Sequence, residues 1–209
     1  MIRTLCLGLC LLSLSGCLAL TSSAPPVTTY ALHASRIAPD ADSSYGPGGI
    51  LRIEEPVLPA GLDSDRIALY TADGRRLDYY AAAKWPAALN SVLQDVMIEE
   101  GRKALPRMVV DTPDLNVTAN YKLAVRVIDF APVYRDDTTT APFLKVSANF
   151  TLIRLPENEV VLDFTLENGQ PASANSLTAV TSGLEAQFQH MMQQAYGSIS
   201  ESMLQKDEI

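Results

Sequence analysis

Three stretches in the second half of the chain alternate apolar and polar residues with period two. Tyr121, Leu123, Val125 and Val127 alternate with Lys122, Ala124 and Arg126. Leu144, Val146, Ala148, Phe150 and Leu152 alternate with Lys145, Ser147, Asn149 and Thr151, and Val160, Leu162, Phe164 and Leu166 with Val161, Asp163, Thr165 and Glu167. Successive strand side chains point to opposite faces, so each stretch predicts a half-buried strand, and together they predict an antiparallel sheet covered on one side. The cover is a long C-terminal helix: Leu177, Val180, Leu184, Phe188, Met191, Ala195, Ile199 and Met203 recur every three or four residues.

The first half is less regular. Tyr30–Ser35 and Ile50–Glu54 read as short strands, with the loop Asp40–Gly49 between them. Arg66–Thr71 and Arg76–Tyr80 flank Asp73-Gly74, a dipeptide suited to the positive φ angles of a hairpin turn. Pro86 suits a helical first turn, and Trp85, Leu89, Val92 and Val96 then make one apolar face that should fade near Gly101–Pro106. The expected fold is α+β, an antiparallel sheet with one face covered by two helices, the C-terminal one long.

The N-terminus carries a different pattern. Arg3 precedes an apolar run, Leu5–Leu14, about as long as the core of a secretory signal. The run ends Leu14-Ser15-Gly16-Cys17, the lipobox order of a bacterial lipoprotein, and an uncleaved anchor, which needs ~20 apolar residues, is the weaker reading. Residues 1–16 are therefore read as a signal peptide and Cys17 as the lipidation site, carrying palmitate and diacylglyceryl chains. Residues 17–29 form a Ser/Thr/Pro-rich tether that extends at most ~40 Å. A domain over 30–203 and a tail over 204–209 complete the organisation. Leu18, in place of an aspartate retention signal, points to the outer membrane facing the periplasm, with the inner membrane as the alternative.

Cleavage would remove Cys6 and Cys10 and leave no disulfide partner for Cys17, so stability must come from the core. Without Arg3 the chain holds 15 basic and 24 acidic residues, a balance that disfavours nucleic acid and offers no polybasic membrane patch. Attachment to the membrane then rests on the acyl anchor.

Catalytic chemistry finds little support. His33 and His190 stand apart from any metal-ligand spacing, and no nucleophile elbow or Walker motif is present. The pairs Glu54-Glu55, Glu99-Glu100 and Asp136-Asp137 read as surface carboxylates, and the sequons at Asn116 and Asn149 as incidental in a bacterium. Met191 reads as core. Met192, off the apolar stripe, reads as an exposed contact.

The order lipobox, tether, strand near Tyr30, Leu58-Pro59-x-x-Leu62, hairpin, Trp85 with Leu89, alternating strands and a long last helix resembles the ABC-type transport auxiliary lipoprotein family over residues 30 to 203. That family includes the lipoprotein of the paraquat-inducible operon. Two positions depart from its usual pattern: Gly61 precedes Leu62 where an aromatic is common, and Arg66 or Tyr70 stands for an arginine of the next strand. The resemblance implies a non-enzymatic component with no cofactor, which docks a periplasmic MCE-domain protein served by an ABC permease and ATPase. It implies transport of phospholipid or other hydrophobic molecules between the membranes. The number of copies stays open, a homo-oligomer included. An outer-membrane or secretion-complex assembly lipoprotein is the alternative function, and an envelope enzyme built from scattered residues is a third.

Overall fold

The computed structural model describes residues 26–36, 48–111, 117–135 and 137–206. The expected signal peptide, Cys17, most of the tether, most of the loop 40–49, and residues Asn116 and Asp136 lie outside them. Among the described residues eight strands form one sheet: β1 (Thr28–Thr29), β2 (Gly49–Ile53), β3 (Arg66–Thr71), β4 (Arg76–Lys84), β5 (Met108–Asp111), β6 (Tyr121–Val133), β7 (Phe143–Arg154) and β8 (Glu159–Pro171). Among them too, two helices, α1 (Leu89–Ala104) and α2 (Leu177–Lys206), complete the α+β fold.

The three alternating stretches are the meander β6–β7–β8, paired antiparallel along nearly their whole length. Leu123, Val125 and Val127 of β6 and Leu144, Val146, Ala148, Phe150 and Leu152 of β7 are buried on the helix side. A bulge between Val127 and Asp129 inserts Ile128 and resets the alternation, so Phe130 again points inward.

Beyond the antiparallel meander and the β3–β4 hairpin the sheet is mixed. β2 runs parallel to both β5 and β6, β3 meets β6 in parallel, and β1 pairs in parallel with β4. Strands far apart in sequence, joined by connections that carry α1 or a hairpin, are free to run parallel, whereas a tight turn enforces the antiparallel sense. β5 follows directly where α1 ends and was not foreseen.

Three further expectations change. Tyr30–Ser35 is not a strand: pairing stops at Thr28–Thr29, and the following residues leave the sheet edge for the helices. Trp85 and Pro86 precede α1 instead of opening it. The residue before a proline is held away from the helical region, so the chain bends at Pro86. The helix starts at Leu89, whose N–H is taken by the Ser64 carbonyl at 3.0 Å. Trp85 is nevertheless buried, edge-on to Phe130 at 6.3 Å, and Phe130 is edge-on to Phe188 of α2 at 5.8 Å. Finally, Met192 is fully buried. α2 packs against both the sheet and α1, so its buried stripe is two residues wide, with Met191 and Met192, then Ala195 and Tyr196. A period count for a single face misses the second column.

Candidate functional site

The residues weighed for chemistry do not converge. His33 and His190 are exposed and lie at different places on the helix layer. Glu55 accepts a hydrogen bond from the Ser91 hydroxyl at 2.9 Å, and Asp137 accepts from the side chain and N–H of Thr139, which hold its carboxyl below the usual range. Among the described residues no three His, Cys, Asp or Glu side chains gather as a metal site. Asn149 donates to Asp163, to the Phe164 carbonyl and to Thr165 across the β7–β8 pair.

Glu99-Glu100 splits. Glu99 is exposed in an ion pair with Arg102, while Glu100, four residues after Val96 on the apolar face, is only 3% exposed. Its carboxylate is compensated by the N–H and hydroxyl of Ser35 and by Lys103, which also donates to the Ser35 carbonyl. Nearby, His33 donates its N–H to Glu185 at 2.8 Å, and Gln189 donates to the His33 carbonyl at 2.7 Å. Residues 30–36 are thus a strap lying over α2 and α1 in turn. Beside it a cavity of about 480 Å³ opens between the helices, lined by Glu100, Lys103, Gln193, Tyr196 and Glu201 among others. The buried Tyr196 hydroxyl donates to the Met97 carbonyl at 2.6 Å, and burial, then the Glu100 charge, push its pKa up. Sequence reading placed Glu100 on the surface, although its i+4 spacing from Val96 was a signal against that.

The sheet face away from the helices carries a polar network. Lys145 pairs with Asp129 at 2.7 Å, and Ser147 donates to the same carboxylate at 2.9 Å. Hydrogen bonding to Asp129 raises the Lys145 pKa. Thr151 donates to Asp163 at 2.6 Å, and this bond with that of Asn149 lowers the Asp163 pKa. These groups are arranged to hold charge on a solvated face. None forms a nucleophile–base pair.

The Leu58-Pro59-x-x-Leu62 stretch folds as a turn, with Leu62 N–H on the Pro59 carbonyl at 2.8 Å and Leu62 fully buried. A side chain at Gly61 would come within 2.3 Å of Leu77, and the Gly61 carbonyl accepts from the Tyr79 hydroxyl. The atom it would meet is a terminal methyl of the flexible Leu77 side chain, so a small residue fits here once Leu77 turns aside. Arg66 stacks over the Tyr79 ring at 3.7 Å from its centroid.

A family model described as ABC-type transport auxiliary lipoprotein component matches residues 30–195, from the strap to the middle of α2. The chain belongs to that family. Similar solved structures include protein XCC0632 from Xanthomonas campestris, at 20% identity, covering 88% of this chain and 100% of that one with a TM-score of 0.75. An uncharacterized protein is similar at 14% identity over 84% of this chain and 100% of that one, with a TM-score of 0.67. Both likenesses concern the fold. No curated protein matches. Family membership ties the chain to ABC-type transport as an auxiliary component and to the lipoprotein class. No helix among the described residues is long and apolar enough to cross a membrane.

Proposed function

We propose that the protein is a non-catalytic, lipid-anchored docking component of an envelope transport system. It is anchored through Cys17 after loss of residues 1–16 and held by the tether 17–29, with the domain 30–203 in the periplasm at the outer membrane. Its partner is a periplasmic MCE-domain protein working with an ABC permease and ATPase, and the cargo is phospholipid or another hydrophobic molecule. The observation that carries this reading is the family match across 30–195. The lipobox supports the anchor, because two or more acyl chains hold a protein stably where one does not. The polar groups described above are engaged in structural pairs, which suits a binding role.

Contact is expected through sheet edges and the loops 40–49 and 134–140, since binding groups concentrate on segments held by a rigid scaffold. Tyr134 fixes the root of the second loop: its hydroxyl bonds Tyr80 at 2.8 Å and Asn175 at 3.1 Å. Two experiments test the reading. Cys17→Ala should abolish incorporation of labelled palmitate, and persistent labelling would remove the anchor. Crosslinking of the acylated protein in native membranes should recover an MCE-domain protein. Repeated recovery of secretion or pilus components alone would sink the transport role and promote the assembly alternative.

A further inference from the structure

We propose that the free edge of β8 is the docking site, and that it takes an extended strand of the partner whose side chains alternate apolar and basic residues. This rests on the reading that the protein works by binding a periplasmic partner. β8 spans 13 residues and, among the described residues, pairs only with β7. A strand of that length with one open side is a template for a further strand, and edges are blunted by bulges, charges or proline. Here a bulge at Val161 and Pro171 bound the regular stretch, and its charges are all acidic, so they repel a like strand and admit a basic one.

The helix-side residues of β8 are only partly covered at this edge. On the helix side Ala148, Phe150 and Leu152 of β7 lie opposite Leu166, Phe164 and Leu162 of β8. The β7 residues are fully buried or nearly so, while their β8 partners are only partly covered. Phe164 stacks on Phe150 at 5.4 Å yet keeps an open flank. Apolar side chains of an added strand would close that flank.

On the opposite face β8 presents Asp163 and Glu167, and Glu159 begins the strand. The hydrogen bonds from Thr151 and Asn149 keep Asp163 ionised. A second copy laid antiparallel on this edge and centred on Thr165 would set Asp163 against Glu167, a like-charge pairing that destabilises a ladder. Basic residues at those positions reverse the sign. Asn168 donates to the Gln187 carbonyl of α2 at 3.2 Å and ties the strand to the helix on one face, while the regular edge runs on from Leu162 beyond the bulge. Strand addition of this kind draws affinity from main-chain bonds and selectivity from alternate side chains.

A photo-crosslinking residue at Thr165 of the full-length acylated protein in native membranes should capture the MCE-domain protein, and one at Glu99, exposed on α1, should not. Capture from Glu99 but never from Thr165 would overturn the edge proposal and leave the transport reading standing. The edge is also tested apart from that reading, with the purified full chain and a decapeptide alternating valine and lysine. Its binding should slow hydrogen exchange of β8 amides, and a valine–glutamate decapeptide should bind at least about fivefold more weakly. Glu167→Lys, an exposed change, should weaken the lysine peptide about threefold. Equal binding of the two peptides, or protection confined to other strands, would overturn the proposal.

Discussion

On one flank of β6 lie β7 and β8, long strands that pair with it and with each other in sequence order. On the other flank the same edge is filled by three unrelated pieces. β2 covers Tyr121–Leu123, the single residue Val57 bridges Arg126, and Tyr70 of β3 meets Val133. Both flanks satisfy the backbone of β6, as a buried strand requires. They differ in how far the chain must travel to do so, and that difference governs folding order, tolerance to change and visibility in the sequence.

The largest effects should come from removing a buried ring or branched side chain on either flank. Phe150→Ala should cost ~3–5 kcal/mol and Ile53→Ala ~2–5 kcal/mol, both side chains being fully buried. At roughly 2–4 °C per kcal/mol for a domain of this size, thermal melts should fall clearly for both. Kinetics should separate them. Local contacts form before distant ones, so Phe150→Ala should mainly slow folding and Ile53→Ala mainly speed unfolding. A chevron in which both variants change the same limb by the same fraction would erase the distinction between the flanks.

A smaller effect isolates the patchwork flank. Val57 donates its N–H to the Val125 carbonyl at 2.9 Å and accepts from Val127 N–H at 2.9 Å, so one residue stitches the gap between β2 and β3. Val57→Pro removes that donor and leaves a carbonyl of a buried residue short of a partner, at a cost of ~1–3 kcal/mol. Its side chain is exposed, so Val57→Ala should change the melt little. An equal loss for the two variants would show that side-chain packing, not the stitch, matters at this position.

The same contrast explains what could be read in advance. The meander was legible because alternation is a local signal and its three strands follow one another directly along the chain. α2 was legible because eight apolar positions kept helical spacing. β5, the parallel pairings and the strap at 30–36 were not, because each depends on a partner far along the chain. Nothing near Ser35 announces Glu100, and nothing near Val57 announces Arg126. The burial of Met192 and Glu100 depends on the contact between the two helices, which no single-face period encodes. For the candidate site, the acidic composition of β8 was visible, but its position at the sheet edge was not.

The smallest effect concerns the outer face of the meander, where Asp163 of β8 is held by Thr151 and Asn149 of β7. These bonds favour the carboxylate, so its pKa in the folded chain lies below the unfolded value. The sign follows: the contribution is present above the ordinary aspartate range and is lost as pH falls through the depressed folded pKa. Thr151→Val keeps the strand shape and deletes the first of the two donors. The Asp163 carboxyl resonance should then titrate at higher pH, nearer the usual aspartate range, while β7–β8 amide protection stays intact at neutral pH. Because the group is solvent-exposed, the melting temperature should hardly move. An unchanged titration in the Thr151→Val variant would mean that the cross-strand bond does not hold in solution. The acidic face of β8 would then be less tightly organised by β7 than the buried face behind it.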